Sequence, residues 1–251
     1  MAKDITIEQL RQHFRSRKSF SRKELYDFYT EFKPEMKETT FRWTIYNLKE
    51  KQIISSISRG LFTLSFKPVF KPNIDKVTQK IYAIIEKQFS TLKFCVWTTQ
   101  IVSEFMLHLP AKHITILQVE KEALEPAYDF LKEQKLGDIF IQPKEKEIER
   151  YIYESKKAIV LLPLVSKSPI QKINNVTTTT LEKLIVDLYS DKKLFAAFQG
   201  SELTYIVNTA YSRYAIDFTK VFYYAKRRRK DIELRQFFTD KTDIPKNILN
   251  D

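Results

Sequence analysis

The sequence predicts an α/β (α+β) protein in which an N-terminal winged helix-turn-helix precedes a mixed α/β domain with a helical C-terminal part. Three patterns support this prediction. Two capped helices lead to a third helix and a short hairpin within the first 65 residues, and apolar strands alternate with helices between residues 74 and 165. After Thr177 the chain has the periodicity of helices alone.

The helix-turn-helix is predicted from signals that start and stop helices. Thr6 with Gln9, and Ser21 with Glu24, have the spacing of a capping box, so helices should begin near residues 7 and 22. Pro34 should end the second helix. The amphipathic helix that follows after a short connection therefore takes the position of a recognition helix.

The third helix and the hairpin after it contain the candidate DNA-contacting residues. Hydroxyl, amide and guanidinium groups suit base edges, whereas Lys and Arg attract phosphates. A turn at Arg59-Gly60 should join the two strands of the hairpin. The predicted DNA-binding residues are Lys37, Thr39, Thr40, Arg42, Trp43, Asn47, Lys51, Ser58 and Arg59. Whether Trp43 contacts DNA is left open, because a tryptophan in a small domain is as often buried in the core as exposed to a partner.

The positive charge is concentrated where this motif lies. Residues 1–72 contain 15 Lys and Arg but 8 Asp and Glu, which gives +7 of the whole-chain net charge of +12. Such a balance favours an acidic partner. Winged helices also serve as protein-interaction modules, and a basic helix face can simply be solvated. Motif and charge together favour double-stranded DNA.

The predicted domains are 1–65 for the winged helix-turn-helix, 66–73 for a linker and 74–251 for the α/β domain with its helical portion. The linker FKPVFKPN contains two Lys-Pro pairs, which favour extended backbone. Alternating strands and helices after it predict a mixed or parallel sheet covered by helices.

The sequence predicts no cofactor and no metal site. His13, His108, His113 and Cys95 lack the spacing of zinc ligands. Glycine-rich phosphate loops and the G-x-S-x-G motif are absent from the sequence. We therefore predict that the protein is not an enzyme.

A DNA-targeted, metal-dependent nuclease is kept as an alternative. Its magnesium site would need acidic residues and a lysine at the ends of strands. Glu120, Lys121 and Glu122 follow the strand ITILQV, and Asp138 precedes IFIQ. Their order departs from an Asp followed by Glu-x-Lys on the next strand.

Two charged features of the C-terminal part require partners. Asp187 lies among apolar residues of a helix and, if buried, needs a cation such as Arg213 or a member of the run 226–230. That run could simply favour a helix C-terminus. Five consecutive cations exceed that need and predict a surface for a phosphate backbone or an acidic protein. The residues are Lys226, Arg227, Arg228, Arg229 and Lys230.

The sequence contains little information on the cellular compartment and the oligomeric state of the protein. The single cysteine, Cys95, cannot form an internal disulfide, which favours a reducing, cytoplasmic setting. No apolar run approaches the ~20 residues that a membrane span needs, so no membrane partner is expected. A homodimer would suit an inverted-repeat operator.

The chain resembles the AbiEi-like antitoxin family of bacterial transcriptional regulators. The resemblance is carried by the N-terminal winged helix, Trp97-Thr98-Thr99 after a strand, the strand ITILQV, and a helical tail with an Arg-rich run. Its most distinctive part is Thr179 to Tyr189, which is similar to that family's threonine-led "EKxxVDL" segment.

This resemblance implies a protein that represses its own promoter through the winged helix. The rest of the chain would act as an antitoxin against a nucleotidyltransferase-type toxin, in the family's usual case without a stable complex. The alternative from the residues alone is a plain winged-helix regulator whose second domain senses a ligand or dimerises.

Overall fold

The computed structural model describes residues 7–64 and 66–249 and confirms the predicted α+β class. Thr6, a residue of the first predicted capping box, lies outside the described residues. The chain divides into two compact units. Unit 1 contains the residues up to Val69 together with 213–219 and those from Ile244; unit 2 contains Phe70–Ser212 and Lys220–Asp243. The predicted linker 66–73 is thus divided between the two units.

The N-terminal part of unit 1 contains three helices and three short strands. Its elements are α1 (Ile7–Phe14), β1 (Phe20–Ser21), α2 (Arg22–Phe32), α3 (Glu38–Glu50), β2 (Ser55–Ser58) and β3 (Leu61–Thr63). The predicted capping box is present at the start of α2, where Ser21 accepts from the Glu24 N–H and Glu24 accepts from the Ser21 N–H. The strands form an antiparallel sheet in the order β1-β3-β2.

The core of unit 1 is aromatic. Phe14 stacks on Phe20 with 4.0 Å between ring centroids, and Phe28 meets Phe14 edge to face. Phe41 of α3 is completely buried in the same cluster. Burial of a Phe side chain contributes about 1.5–3 kcal/mol, so these rings fix which face of α3 points inward.

Unit 2 contains a four-stranded sheet with helices. Its elements up to residue 179 are α4 (Lys76–Gln88), β4 (Phe94–Thr98), β5 (Thr115–Val119), α5 (Leu124–Glu133), β6 (Asp138–Ile141), α6 (Glu145–Glu147), β7 (Ala158–Pro163), β8 (Ile170–Ile173) and β9 (Val176–Thr179). The strand order is β4-β5-β7-β6; β5 and β6 run parallel to β7, and β4 runs antiparallel to β5. The sheet is therefore mixed, as the alternation of strands and helices predicts.

Two segments of unit 2 differ from the predicted element types. Residues 99–107 were expected to be helical, and Thr99–Phe105 is indeed helical but of the 3-10 type. The β pattern was expected to end before Thr177, whereas β8 and β9 form an antiparallel hairpin that continues to Thr179. Asn174 and Asn175, both with positive φ, make the two-residue turn that such a hairpin favours.

The rest of the chain is helical, as predicted. The helices are α7 (Leu181–Ser190), α8 (Ser201–Arg213), α9 (Phe218–Arg227), α10 (Asp231–Lys241) and α11 (Lys246–Leu249). Thr180 caps α7, because its hydroxyl accepts a hydrogen bond from the Lys183 N–H. None of the described helices combines the length and the apolar character that a membrane crossing requires.

Candidate nucleic-acid interface

Helix α3 buries one face in unit 1 and exposes the other. Phe41 and Leu48 are buried, whereas Arg42, Trp43 and Asn47 are exposed on the opposite side. The predicted contacts at the start of the helix, Lys37, Thr39 and Thr40, are exposed as well, and so is Lys51 just after its end. All the predicted contact residues of this helix therefore lie at the surface.

The exposed face also has an aromatic pair, of which only Trp43 was a predicted contact residue. Trp43 is 67% exposed and Tyr46 is 54% exposed. Their rings meet edge to face at 5.7 Å between centroids. Tyr46 was not among the predicted contact residues, although its position three residues after Trp43 would have placed it on the same face.

Three chain segments meet at one end of unit 1. The side chain of Arg22, the first residue of α2, forms an ion pair with Glu38, the first residue of α3. The backbone N–H of Arg22 donates to the carbonyl oxygen of Gly60 in the hairpin turn over 2.6 Å. The starts of α2 and α3 thus lie beside the Arg59-Gly60 turn. Two helix N-termini, with their partial positive charge, point to this end.

The first turn of α3 lacks a side-chain cap and contains one carboxylate. Lys37 occupies the N-cap position and its side chain makes no capping hydrogen bond. The N–H groups of that turn can therefore receive an anion such as a phosphate. Glu38 opposes this charge and also lies 3.7 Å from the Arg42 guanidinium. Glu38 thus lies beside Arg42 and weakens the positive potential of the face.

Of the two predicted contact residues in the hairpin, Arg59 is exposed and Ser58 is buried. Arg59 is exposed, and its backbone N–H donates to the Thr219 hydroxyl over 2.8 Å. Ser58 is only 5% exposed, which contradicts its predicted role in DNA contact. A bulge between Ser56 and Ser58 shifts the register of β2 at this point. Such a bulge changes the direction of the side chains after it, and Ser58 lies inside rather than on the surface of the hairpin.

The cationic run at residues 226–230 does not form one continuous surface. Helix α9 ends at Arg227, whose guanidinium donates to the Ser166 hydroxyl. Arg228 turns inward, and Lys230 pairs with Glu233 at 2.9 Å. Lys226 and Arg229 are exposed. Three of the five predicted partner-binding cations thus contact groups within the protein, and the other two are exposed to solvent.

Asp187 lies at the centre of a buried polar network in unit 2. It is 2% exposed and forms an ion pair with Lys183, which is completely buried one helical turn earlier. Tyr224 donates its hydroxyl hydrogen to Asp187 over 2.8 Å, and the Arg228 guanidinium lies 3.5 Å away. Gln118 of β5 accepts from Lys183 and donates to Asp187. The prediction of a cationic partner from the run 226–230 is confirmed by Arg228, whereas Lys183 was missed.

The protonation of this network is fixed by the mutual contact of its charges. Burial alone would raise the pKa of Asp187, but Lys183 and Arg228 outweigh it and hold that pKa below its ordinary value. Burial alone would lower the pKa of Lys183, yet Asp187 holds it above its ordinary value. Burial and the negative charge of Asp187 raise the pKa of Tyr224 to about 12. At neutral pH the network thus contains an ionised pair and a protonated phenol.

Cys95 lies next to this network and gives a first testable prediction. The thiol is completely buried in β4, and burial raises its pKa to about 12. Because thiolate is the reactive form, Cys95 should resist alkylation by iodoacetamide in the native protein and react once unit 2 unfolds. Mass spectrometry across a urea series measures this. Complete labelling without denaturant would contradict the burial of β4.

The residues of the alternative nuclease site do not converge. Glu120 follows the carboxyl end of β5, where it accepts from the Lys93 N–H, and Lys121 and Glu122 are exposed beside it. Asp138 begins β6 and accepts from Ser155. Val119 pairs with Pro163 at one end of β7 and Asp138 with Ala158 at the other, which separates the two sites by about 16 Å along the sheet. Within the described residues no three His, Cys, Asp or Glu side chains are grouped to hold a metal.

Comparison with protein families identifies one match. Residues 40–244 match a family described as a family of unknown function (DUF6577). The chain belongs to this family, because the match covers most of its length. A comparison with curated proteins gave no match.

Proposed function

We propose that this member of the DUF6577 family binds double-stranded DNA through helix α3 of unit 1. The observation that carries the proposal is the exposed face of α3, a helix whose first turn lies where the starts of α2 and α3 and the hairpin turn meet. A helix in this position of a helix-turn-helix enters the major groove with its N-terminal residues. The net positive charge of residues 1–72 supports an anionic partner.

The exposed side chains divide into two groups by their chemistry. Lys37, Lys51 and Arg59 are suited to phosphates. Thr39, Thr40, Arg42 and Asn47 lie on the face that would enter the groove, and Asn47 can form two hydrogen bonds with adenine. We leave Ser58 out of the proposed interface, because it is buried.

We further propose the narrower role of an autorepressor and antitoxin of a bacterial toxin-antitoxin module. The support for it is the resemblance to AbiEi-like antitoxins, above all the segment Thr179 to Tyr189. In that role the protein would repress its own promoter and counteract a nucleotidyltransferase-type toxin in the cytoplasm. A toxic neighbouring reading frame of that class, neutralised by co-expression of this protein, is the expected result. A non-toxic neighbour would favour the plain regulator.

The DNA-binding proposal is tested by titrating the protein with the duplex from immediately upstream of its own gene and with a scrambled duplex. Specific binding is expected, and Asn47→Ala should weaken it by about 1–3 kcal/mol while the scrambled duplex is bound as before. The matched control is Gln88→Ala, which removes an exposed amide from the end of α4 in unit 2. Equal binding of both duplexes by the wild-type protein would refute sequence-specific recognition.

A further inference from the structure

Trp43 and Tyr46 place a large apolar surface on the helix face proposed to enter the groove. A Trp ring exposed to two thirds is unusual in a small domain, since Trp is normally among the most buried side chains. The edge-to-face contact with Tyr46 holds the two rings together as one aromatic pair. Such a pair, left in water, points to a partner that covers it.

The polar groups around the aromatic pair are partly engaged within the protein. The Arg42 guanidinium lies 3.7 Å from the Glu38 carboxylate, and the Thr44 hydroxyl donates to the Thr40 carbonyl oxygen over 3.1 Å. Asn47, exposed one residue after Tyr46, supplies an amide without a rigid internal role. The middle of the face therefore presents aromatic surface beside one amide, rather than a row of charged groups.

Only one base has an apolar group at its edge in the major groove. Thymine carries a methyl group at C5, and the adenine that pairs with it presents the acceptor and donor that Asn47 can match. We infer that Trp43 and Tyr46 select thymine by burying its methyl group, with Asn47 on a neighbouring adenine, so that the bound sequence contains A·T pairs under the middle of α3. This inference rests on the proposed DNA binding.

An aromatic patch also suits a protein partner, since Trp and Tyr are enriched at protein interfaces. The charge around this patch favours DNA. At the start of the same helix, α3 has no side-chain cap, Lys37 precedes it as an exposed cation, and Arg59 of the hairpin turn is exposed as well. An anionic partner with an apolar group is complementary to both features, and duplex DNA containing thymine has both.

The test compares the upstream duplex with the same duplex in which deoxyuridine replaces every thymidine. This change removes the methyl groups and leaves all base-pair hydrogen bonds in place. Wild-type protein should bind the deoxyuridine duplex about fourfold more weakly for each methyl group that the aromatic pair buries. Trp43→Ala and Tyr46→Ala should bind the original duplex more weakly and should discriminate less between the two duplexes. Tyr151→Ala, which removes an exposed Tyr of unit 2, should retain full discrimination.

Each other outcome has a definite meaning. Specific binding with equal affinity for both duplexes overturns the thymine inference and leaves DNA binding intact. A discrimination that persists in both aromatic variants also overturns it, because the methyl groups then act elsewhere. A dimer that dissociates in Trp43→Ala, with no discrimination, assigns the pair to a protein interface. Absence of specific binding by the wild-type protein overturns the proposed function and this inference together. Circular dichroism verifies that the variants, altered only at exposed positions, are folded.

Discussion

Replacing Asp187 with alanine should lower the free energy of unfolding of the protein by about 3–5 kcal/mol, the cost of removing one member of a buried ion pair. Lys183 would remain completely buried without the carboxylate that compensates its charge. The Tyr224 hydroxyl and the Gln118 amide would lose the same acceptor. Urea denaturation, followed by circular dichroism and by labelling of Cys95, measures the loss.

Two further variants test the electrostatic origin of that loss. Asp129→Ala changes an exposed aspartate of α5 and should alter the free energy of unfolding by less than about 0.5 kcal/mol. The double variant Lys183→Met with Asp187→Leu removes both charges and should recover part of the stability, because apolar residues of similar volume can replace a buried pair. A loss in Asp187→Ala no larger than in Asp129→Ala would show that the network adds no stability.

The same network sets the pH range of its contribution to stability. Asp187 has a lowered pKa in the folded protein, so its contribution is complete above the ordinary value of 3.8 and is lost as the pH falls through the lower folded value. Lys183 has a raised pKa, so its contribution is complete below 10.5 and is lost as the pH rises through the higher folded value. The network should therefore stabilise unit 2 evenly at all intermediate pH values.

The second large effect is the expected dependence of DNA binding on salt concentration. If Lys37, Lys51 and Arg59 each neutralise one phosphate, specific binding should weaken about fortyfold between 50 and 200 mM monovalent salt, from a slope of about −0.9 per phosphate. Changing all three residues to alanine should remove most of this dependence. Glu38→Gln should act in the opposite direction and strengthen binding to every duplex, because it removes a carboxylate beside Arg42 and the first turn of α3. Fluorescence anisotropy at several salt concentrations measures these slopes.

Lys146→Ala is the control for the salt series, since it removes an exposed lysine of α6 in unit 2. Its salt slope should equal that of the wild-type protein. An unchanged slope in the triple variant would move the phosphate contacts to another surface. Weaker binding by Glu38→Gln would mean that Glu38 is needed to hold Arg42 in its binding geometry.

Local signals predicted most of the fold because their physical causes act within a few residues. The Ser21–Glu24 capping box and the Thr180 cap are contacts over three residues, and both are present. The continuous apolar run at 158–165 predicts a buried strand, and the structure has that strand at Ala158–Pro163. The hairpin that ends at Thr179 was missed, because threonines favour both strands and helix caps and the Asn174-Asn175 turn was not weighed.

The surroundings of the candidate functional side chains were harder to predict from the sequence, because they depend on contacts between residues that are distant in the chain. The burial of Ser58 follows from a bulge and from the packing around β2. Lys183 and Asp187 are four residues apart on a helix, a spacing that usually indicates an ion pair on a solvated surface. In the structure the pair is buried and is bonded to Gln118 and Tyr224, which this spacing does not predict. Tyr46 could have been predicted from helical spacing alone.

The hydrogen bond from the Arg59 backbone to the Thr219 hydroxyl has a consequence for the order of events during synthesis. Residues 213–219 belong to unit 1, and the Ala215 N–H donates to the Pro68 carbonyl oxygen there. At about 5–20 residues per second a ribosome needs roughly ten to thirty seconds to extend the chain by the 160 residues that separate Arg59 from Thr219. The hairpin turn thus acquires its support only after most of the chain has been translated. A nascent chain, or a fragment that stops at the linker, would present helix α3 on an incomplete unit.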